Sequence, residues 1–277
     1  MLDAADIMKR NNVQIVGQGE KVLMFAHGFG CNQQMWRFLL PHFLADYRIV
    51  LFDYVGSGNS DLTAYSKTKY SSLAGYANDI VEICQALQLT QVHLVGHSVS
   101  GNIALIAAQT IPDRIHSIVM VCPSPCFLNL PPDYFGGFNP ADLQELIDLM
   151  DKNYIGWANY LAPLVTGTSQ NDALTSELND SFCSTNPMTA KNFAKVTFFS
   201  DCRDLLPKNQ HPVLILQSEQ DALAAVAIGE YMHRHTANSE LVVLPARGHC
   251  LHMSDAHAVS LVISTFFERN PTTRAEA

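Results

Sequence analysis

The protein has 277 residues, of which 48% are apolar and 16% are charged. A charged fraction well below the roughly 25% of average soluble proteins excludes intrinsic disorder and predicts a large buried core. Lys and Arg number 17 against 26 Asp and Glu, so a net charge of −9 argues against nucleic acids and anionic membranes as partners.

Short apolar runs alternate with helical patterns in the first half of the chain. Residues 13–16 alternate weakly between apolar and polar, whereas four later runs are apolar on both faces, at 22–26, 48–52, 92–95 and 118–122. Two-sided apolar strands are typical of parallel sheets that helices cover on both faces. Residues 73–87 and 103–110 carry apolar side chains at helical spacing. The alternation predicts an α/β fold.

Helical patterns alone follow from residue 139 to residue 200. A loop punctuated by prolines comes first, at Pro123, Pro125, Pro131 and Pro132. Asn139 and Pro140 then match an N-cap residue followed by proline at the first helical position. Further helical patterns cover residues 155–165, 172–182 and 187–199. We therefore expect four consecutive helices in this part of the chain.

Strand patterns return later in the chain, at residues 213–216 and 241–244, before a last helical pattern at 257–267. A helical block is thus inserted between two parts of one α/β domain. We predict a core that comprises residues 1–122 and 208–277, with a helical cap at residues 123–207.

The most specific local signal is the sequence Gly-His-Ser-Val-Ser-Gly at residues 96–101. It follows a predicted strand and opens a predicted helix, which is the setting of the nucleophile elbow G-x-S-x-G. Ser98 takes the nucleophile position. Ser100 replaces the last glycine, at a place that requires a small residue because the strand and the helix pass closely. An ordinary strand-to-helix turn without chemistry is the alternative.

A serine hydroxyl is a weak nucleophile until a base takes its proton and an acid orients that base. In folds that carry this elbow, the chain order is serine, acid, histidine. The acid is expected after the first of the two late strands, where Asp221 is the candidate and Glu219 the alternative. The base is expected after the second, where His249 is the candidate and His252 the alternative.

An acyl-transfer site also needs hydrogen-bond donors for the oxyanion that forms. The residue after the nucleophile, Val99, supplies one backbone N–H, and the loop after an early strand supplies the other. In that loop, residues 27–30, the flanking glycines let the backbone turn the Phe29 N–H toward the pocket. A glycine turn with no chemistry is the alternative.

Several segments of the sequence resemble the RsbQ-type α/β hydrolases, bacterial relatives of the plant strigolactone and karrikin receptor hydrolases. The resemblance is carried by residues 27–32, 35–37, 52–58, 60–61, 96–101, 124–126, 134–138, 152–158, 182–185, 198–201 and 246–250. It implies a triad of Ser98, Asp221 and His249 and a closed apolar pocket. We predict an α/β-hydrolase fold with a mostly parallel eight-stranded sheet and an inserted four-helix cap.

The same resemblance implies a role in stress signalling. In that family, the bacterial regulator works with a PAS-domain phosphatase to activate an alternative sigma factor. A PAS-domain phosphatase or another sensor protein is therefore the expected protein partner, beside a small hydrophobic substrate. Residues 165–173 depart from the family's pattern.

Aromatic residues of the predicted cap suit an apolar ligand. Those predicted to line the pocket above Ser98 are Phe127, Phe135, Trp157 and Phe193, with Phe138 and Phe198 as further candidates. The alternative for each ring is that it packs the cap against the core.

These residues predict a serine hydrolase of a small hydrophobic ester or lactone, acting through an acyl-serine. A serine nucleophile excludes the dehalogenase and epoxide-hydrolase variants of the fold, which need a carboxylate. One alternative is a slow-turnover receptor that senses a ligand. Another is a housekeeping carboxylesterase without a protein partner.

The seven cysteines are scattered without a C-x-x-C pair, so neither a disulfide framework nor zinc-ligand spacing is expected. No apolar run approaches the roughly 18 residues of a membrane span, and the first residues lack a signal-peptide pattern. We predict a cytoplasmic protein that needs no cofactor and no metal and binds neither nucleic acid nor membrane.

Overall fold

The computed structural model describes residues 3–272, which contain nine strands and ten α-helices. The strands are β1 (Gln14–Val16), β2 (Lys21–Ala26), β3 (Tyr47–Leu51), β4 (Val92–His97), β5 (Ile115–Val121), β6 (Asn129–Leu130), β7 (Tyr134–Phe135), β8 (Val213–Gln220) and β9 (Ser239–Arg247). The helices are α1 (Ala4–Arg10), α2 (Leu73–Ala86), α3 (Val99–Thr110), α4 (Pro140–Lys152), α5 (Tyr154–Thr166), α6 (Ala173–Ser184), α7 (Pro187–Phe199), α8 (Val226–His235), α9 (Leu251–Ser254) and α10 (Ala256–Arg269).

Seven of the strands form one sheet in the order β1-β3-β2-β4-β5-β8-β9. β1 runs antiparallel to β3, and the other neighbours in the sheet are parallel. The predicted α/β class and mostly parallel sheet are confirmed. Within the described residues the sheet has one strand fewer than the eight predicted. The seven apolar runs of the sequence correspond to its seven strands, and β6 and β7 form a separate hairpin.

Apolar side chains cover both faces of the sheet, as two-sided apolar strands require. On one face, residues of α1, α2, α3 and α8 pack against alternate strand residues such as Met24 and Leu94. On the other face, α10 and the segment that contains Trp36 and Phe43 pack against Leu23 and Phe25. The central strands are therefore buried on both sides, and their ends are fixed in position.

Helices α4 to α7 lie between β5 and β8 in the chain, and we refer to these four helices as the cap. Their first residues explain where they begin: Asn139 and Asp142 form a capping box around Pro140 at the start of α4. Asp172 and Asn186 accept backbone N–H groups at the starts of α6 and α7. The four expected helices are present inside the predicted range 123–207, and the domain boundaries at its two ends stay a prediction.

Polar contacts join the cap to the core through α6 and α7. The Ser181 hydroxyl donates to the Gly30 carbonyl at 2.7 Å, and the Thr189 hydroxyl donates to the Gly56 carbonyl at 2.9 Å. Arg37 also pairs with Glu177 across this boundary. The other two cap helices pack mainly on their neighbours, α4 on α5 and α7, and α5 on α6. Within residues 3–272, no helix has both the length and the apolar composition needed to cross a membrane.

Candidate active site

The candidate residues lie at one edge of the sheet because parallel strands end there together. Ser98 follows β4, Asp221 follows β8, and His249 lies two residues after β9. In the sheet, β4 is separated from β8 by β5 alone, and β9 is next to β8. Ser98 is thereby brought close to two residues that lie more than a hundred positions later in the sequence.

Ser98 occupies a strained turn between β4 and α3. Its φ of 55° and ψ of −123° place a non-glycine residue in a region that L-residues rarely adopt. Gly96 is required on the strand side, since a Cβ there would lie 2.4 Å from the Ser100 carbonyl oxygen. The turn presents the Ser98 hydroxyl to the space beyond the sheet edge, as the predicted elbow requires.

Ser100 contributes more than small size, which the sequence interpretation did not anticipate. Its buried hydroxyl donates to the His27 carbonyl at 2.5 Å and lies 3.0 Å from the Tyr54 hydroxyl. A glycine at this position would make neither contact. The hydroxyl therefore joins the nucleophile turn to the loop predicted to stabilise the oxyanion.

The side chains of Ser98, His249 and Asp221 form a continuous hydrogen-bonded chain. The Ser98 hydroxyl lies 2.7 Å from Nε2 of His249, and Nδ1 of His249 lies 2.7 Å from Oδ2 of Asp221. The other carboxylate oxygen accepts the N–H groups of Leu223 at 2.8 Å and Ala224 at 3.1 Å. This is the arrangement in which a histidine can take the serine proton while an acid orients it.

The electrostatics keep the acid ionised. Burial by itself raises the pKa of Asp221, but the charge on His249, its hydrogen bond and the two backbone N–H groups outweigh burial and hold that pKa below its usual range. Both alternatives lie outside the chain of hydrogen bonds. Glu219 is exposed, and the ring of His252 packs at tilted angles between the rings of Trp36 and His97, with its centroid 4.5 Å from each.

The main chain of His249 is also bonded on two sides. His97 donates from Nε2 to the His249 carbonyl at 2.8 Å. Burial first, and the nearby charge of His249 second, lower the pKa of His97 to about 3, so its ring is neutral. From the cap side, the Val165 carbonyl accepts the His249 N–H at 2.6 Å. Core and cap thus both hold the backbone of this residue.

The two predicted oxyanion donors flank the nucleophile. Val99 is the first residue of α3, where backbone N–H groups lack partners within the helix. Phe29 belongs to the loop after β2, and β2 pairs with β4 so that Ala26 lies beside Gly96. Gly28 must be glycine because a Cβ there would lie 2.4 Å from Nδ1 of His97. Their role as oxyanion donors stays a prediction.

A small cavity of about 30 Å³ is lined by Ser98 and His249. Apart from His97, Ser98 and His249, it is lined by Phe29, Cys31, Phe127, Leu161, Val165, Phe182, Thr197, Phe198 and Leu223. Nearly all of these side chains are apolar. The cavity has room for about one or two water molecules.

Only one of the four predicted pocket aromatics, Phe127, lines this cavity. Phe135 was predicted wrongly: it lies on the β6–β7 hairpin and is 64% exposed. Trp157 and Phe193 are buried one layer farther out, with ring centroids 5.9 Å and 5.8 Å from that of Phe29. They pack cap against core, which was the alternative for each ring.

Phe182 and the ring of Phe29 also line the cavity, and neither was predicted to do so. Gly30 leaves space for the Phe182 ring, because a Cβ there would lie 2.0 Å from that ring, but a glycine in the sequence does not by itself identify its neighbour. Phe198, one of the two further candidates, also faces the nucleophile, and Phe138 lines a groove outside the cavity.

That larger groove, of about 670 Å³, lies between α4, α5 and the loop after β8. Three residues line both spaces and form the wall between them: Leu161, Phe198 and Leu223. The carboxylates of Asp142 and Glu145 also border the groove. The groove is therefore an apolar approach to the cavity, with negative charge at its border.

Within the described part of the chain, the residue types of a metal site meet at Cys122, Asp221 and His249, whose ligand atoms lie within 4.8 Å of one another. The chemistry of this set favours a proton-carrying site. Asp221 and His249 are bonded to each other, and burial raises the pKa of the Cys122 thiol well above its usual range, which disfavours the thiolate that a metal binds.

Comparison with known proteins places the chain in a family. The profile of the family described as alpha/beta hydrolase fold matches residues 21–256. A probable esterase from Oryza sativa subsp. japonica is 37% identical, over 93% of this chain and 95% of that protein. A karrikin insensitive 2 receptor from Petunia hybrida is 36% identical, over 93% and 95%.

Among solved structures, a hydrolase from Oleispira antarctica is 54% identical and superposes with a TM-score of 0.95, over 97% of this chain and 98% of that one. The predicted α/β-hydrolase fold is confirmed by this superposition and by the family match. The similarity to the plant receptor hydrolases extends through the cap as well as the core.

Proposed function

The chain belongs to the alpha/beta hydrolase fold family, and from that premise we propose that it is a serine hydrolase of a small hydrophobic ester or lactone. The observation that carries the proposal is the unbroken hydrogen-bonded chain from Ser98 through His249 to Asp221. Esterases among its relatives support the same reaction class.

The reaction follows from the positions of these atoms. Oγ of Ser98 attacks the substrate carbonyl while its proton passes to Nε2 of His249, and Asp221 stabilises the imidazolium that forms. The N–H groups of Phe29 and Val99 stabilise the negative oxygen of the tetrahedral intermediate. The carbon–oxygen bond to the alcohol then breaks, and His249 returns the proton to the leaving oxygen. In the second half of the reaction, His249 takes a proton from a water molecule that attacks the acyl carbonyl. The bond to Oγ of Ser98 then breaks as His249 returns the proton to that oxygen.

The cavity and the groove support a proposal in which the acyl part and the alcohol part of the substrate occupy different spaces. The cavity of about 30 Å³ accommodates only a short acyl group, whereas the groove of about 670 Å³ accommodates a larger apolar alcohol group. For a substrate to occupy both spaces, the wall of Leu161, Phe198 and Leu223 must part, which requires motion of the cap or of these side chains. The carboxylates at the groove disfavour anionic alcohols.

A series of 4-nitrophenyl esters tests this proposal. We expect kcat/KM to be highest for acetyl and propionyl esters and to fall steeply with longer acyl chains. Acetate esters of neutral and of carboxylated phenols test the alcohol side, where we expect the neutral alcohols to be preferred. A Ser98→Ala variant supplies the background rate. Equal turnover of short and long acyl chains would contradict the small acyl cavity, and hydrolysis that survives in Ser98→Ala would contradict the proposed function itself.

A sensing role is the second candidate, and it is favoured by similarity to a receptor along the whole cap. In this proposal, an RsbQ-type protein in the cytoplasm turns over its ligand slowly and reports it to a PAS-domain phosphatase or another sensor protein in a stress response. Seven free thiols support a reducing compartment. A reporter controlled by the neighbouring signalling genes, measured in a deletion strain and in a Ser98→Ala strain, tests it. An unchanged reporter in the deletion strain favours the housekeeping esterase.

A further inference from the structure

Among the described residues that line the catalytic cavity, two have a buried polar atom without a partner, Oγ1 of Thr197 and Nδ1 of His97. The His97 ring already donates from Nε2 to the His249 carbonyl, whereas the Thr197 hydroxyl makes no hydrogen bond. Thr197 lies on α7, is 4% exposed and lines the cavity together with Ser98 and His249. Its Oγ1 atom is buried and makes no hydrogen bond to any described residue. A buried hydroxyl without a partner destabilises a fold, and most buried polar groups in native proteins are hydrogen-bonded, so an unpartnered one points to a functional role.

Other threonines in helices of this protein show how such a hydroxyl is usually hydrogen-bonded. The hydroxyls of Thr110, Thr166 and Thr265 each donate to the carbonyl four residues earlier, at distances of 2.8 Å, 3.1 Å and 2.9 Å. This bond is available to threonine in any regular helix. The Thr197 hydroxyl does not make it, although the residue lies inside α7.

We infer that Thr197 is a specificity-determining residue that hydrogen-bonds an oxygen atom on the acyl part of the substrate. The inference rests on the proposed function and narrows its substrate class. The preferred ester or lactone is short and mostly apolar, and it carries a hydroxyl, ether or carbonyl oxygen in addition to the reacting carboxyl group.

Physical chemistry explains why such a group discriminates. A site with a buried hydrogen-bonding group rejects an analogue that lacks the complementary atom, because the protein group is then left without a partner. An apolar cavity rejects an additional methylene much less strongly. The Thr197 Oγ1 atom is itself buried, so a substrate oxygen reaches it only when side chains of the cavity move to admit the acyl group. A substrate oxygen then makes the hydrogen bond, whereas a methyl group does not.

A pair of isosteric substrates and a pair of variants test the inference. 4-Nitrophenyl hydroxyacetate and 4-nitrophenyl propionate differ by a hydroxyl in place of a methyl group. The measured quantity is the ratio of their kcat/KM values, in the unmodified protein and in Thr197→Val and Thr197→Ser. Intrinsic ester reactivity cancels when these ratios are compared between proteins.

We expect Thr197→Val to lower the hydroxyacetate-to-propionate ratio about tenfold, mainly by losing activity on hydroxyacetate, and Thr197→Ser to keep it within about threefold of the original. An unchanged ratio in Thr197→Val would overturn the inference. If the unmodified protein hydrolyses neither ester faster than Ser98→Ala does, the proposed function fails instead, so the two failures are distinguishable.

A stability measurement examines the same hydroxyl without relying on activity. Thr197→Val removes an unpartnered polar atom, so its unfolding midpoint in urea should equal or exceed that of the unmodified protein. Thr166→Val is the matched control, because its hydroxyl bonds to Ala162 and Thr175 and its removal should lower the midpoint. A midpoint for Thr197→Val as low as that of the control would mean that the Thr197 hydroxyl has a partner within the protein, which contradicts the inference.

Discussion

The two sides of the catalytic cavity differ in the way their side chains are held. The core side presents Ser98, His249 and Asp221, each at the end of a strand and each in hydrogen bonds with a defined direction. The cap side presents the apolar side chains of Leu161, Phe182 and Phe198, which pack without a preferred direction, and Val165, whose backbone carbonyl accepts the His249 N–H. We therefore expect substitutions on the core side to abolish the proposed reaction, and substitutions of apolar cap side chains to change its selectivity.

The largest effect is expected from the core side. Ser98→Ala and His249→Ala should each lower kcat/KM for 4-nitrophenyl acetate by at least about a thousandfold, because the three residues act as a unit. The double variant should be hardly slower than either single variant. A double variant that loses the product of the two single effects would show that the residues act independently.

Asp221→Asn breaks the same chain at its far end. An asparagine leaves the shape of the site intact but favours the wrong tautomer of His249, so kcat should fall about 10²- to 10⁴-fold. Glu219→Gln is the matched control, since Glu219 is exposed and lies outside the hydrogen-bonded chain. Steady-state kinetics at pH 8 measures both variants. If Glu219→Gln lost activity while Asp221→Asn kept it, Glu219 rather than Asp221 would be the acid that orients His249.

A substitution in the wall between the cavity and the groove should change selectivity rather than abolish the reaction. Leu223→Ala removes a side chain that lines both spaces, so the ratio of kcat/KM for hexanoyl and acetyl esters should rise about tenfold. The backbone N–H of residue 223 still bonds Asp221, so the acetyl rate should change little. Leu164→Ala, which lines the groove but not the cavity, should leave the ratio unchanged. Equal shifts of this ratio in both variants would show that Leu223 does not separate the cavity from the groove.

A smaller effect, on stability, is expected from buried histidines in the core. Burial first, and the charges of His116 and Lys21 second, lower the pKa of His93 to about 3. In the unfolded chain the pKa is roughly 6.5, so between these values the unfolded state binds one proton more than the folded state. Stability is therefore lost as the pH falls below about 6.5, by up to about 1.4 kcal/mol per pH unit for this group.

The His93→Gln variant lacks the imidazole that binds this additional proton in the unfolded state. Urea unfolding at pH 7, 6 and 5 should show a shallower loss of stability with falling pH in the variant than in the unmodified protein. His93 lies at the opposite end of β4 from Ser98, so esterase activity at pH 7 should stay within about twofold. An identical pH slope in both proteins would show that His93 is protonated in the folded state.

The same contrast explains what sequence reasoning could predict. Strands that are apolar on both faces predict a parallel sheet, and parallel strands end at one edge, so the positions of Ser98, Asp221 and His249 follow from where the strands stop. The chain order of serine, acid and histidine then limits the acid to Asp221 or Glu219 and the base to His249 or His252. Local pattern and topology lead this far, and the hydrogen bonds of the structure select Asp221 and His249.

The cap side depends on how helices turn about their axes, which sequence pattern leaves open. Trp157 lies on a cap helix as expected, yet its ring packs against Tyr154 and Phe182 rather than lining the cavity. Phe135 falls in a short hairpin that the prolines before it did not reveal, and there it faces solvent. The unpartnered hydroxyl of Thr197 is visible only once all neighbours are known.

Covalent labelling with a fluorophosphonate tests the central claim most directly, because this reagent reacts with a serine only when a base activates it. We expect one adduct per chain by intact mass, peptide mapping that locates it on Ser98, and no adduct in His249→Ala over the same period. An adduct on another serine, or full esterase activity in a protein that the reagent does not label, would contradict the assignment of Ser98 as the nucleophile.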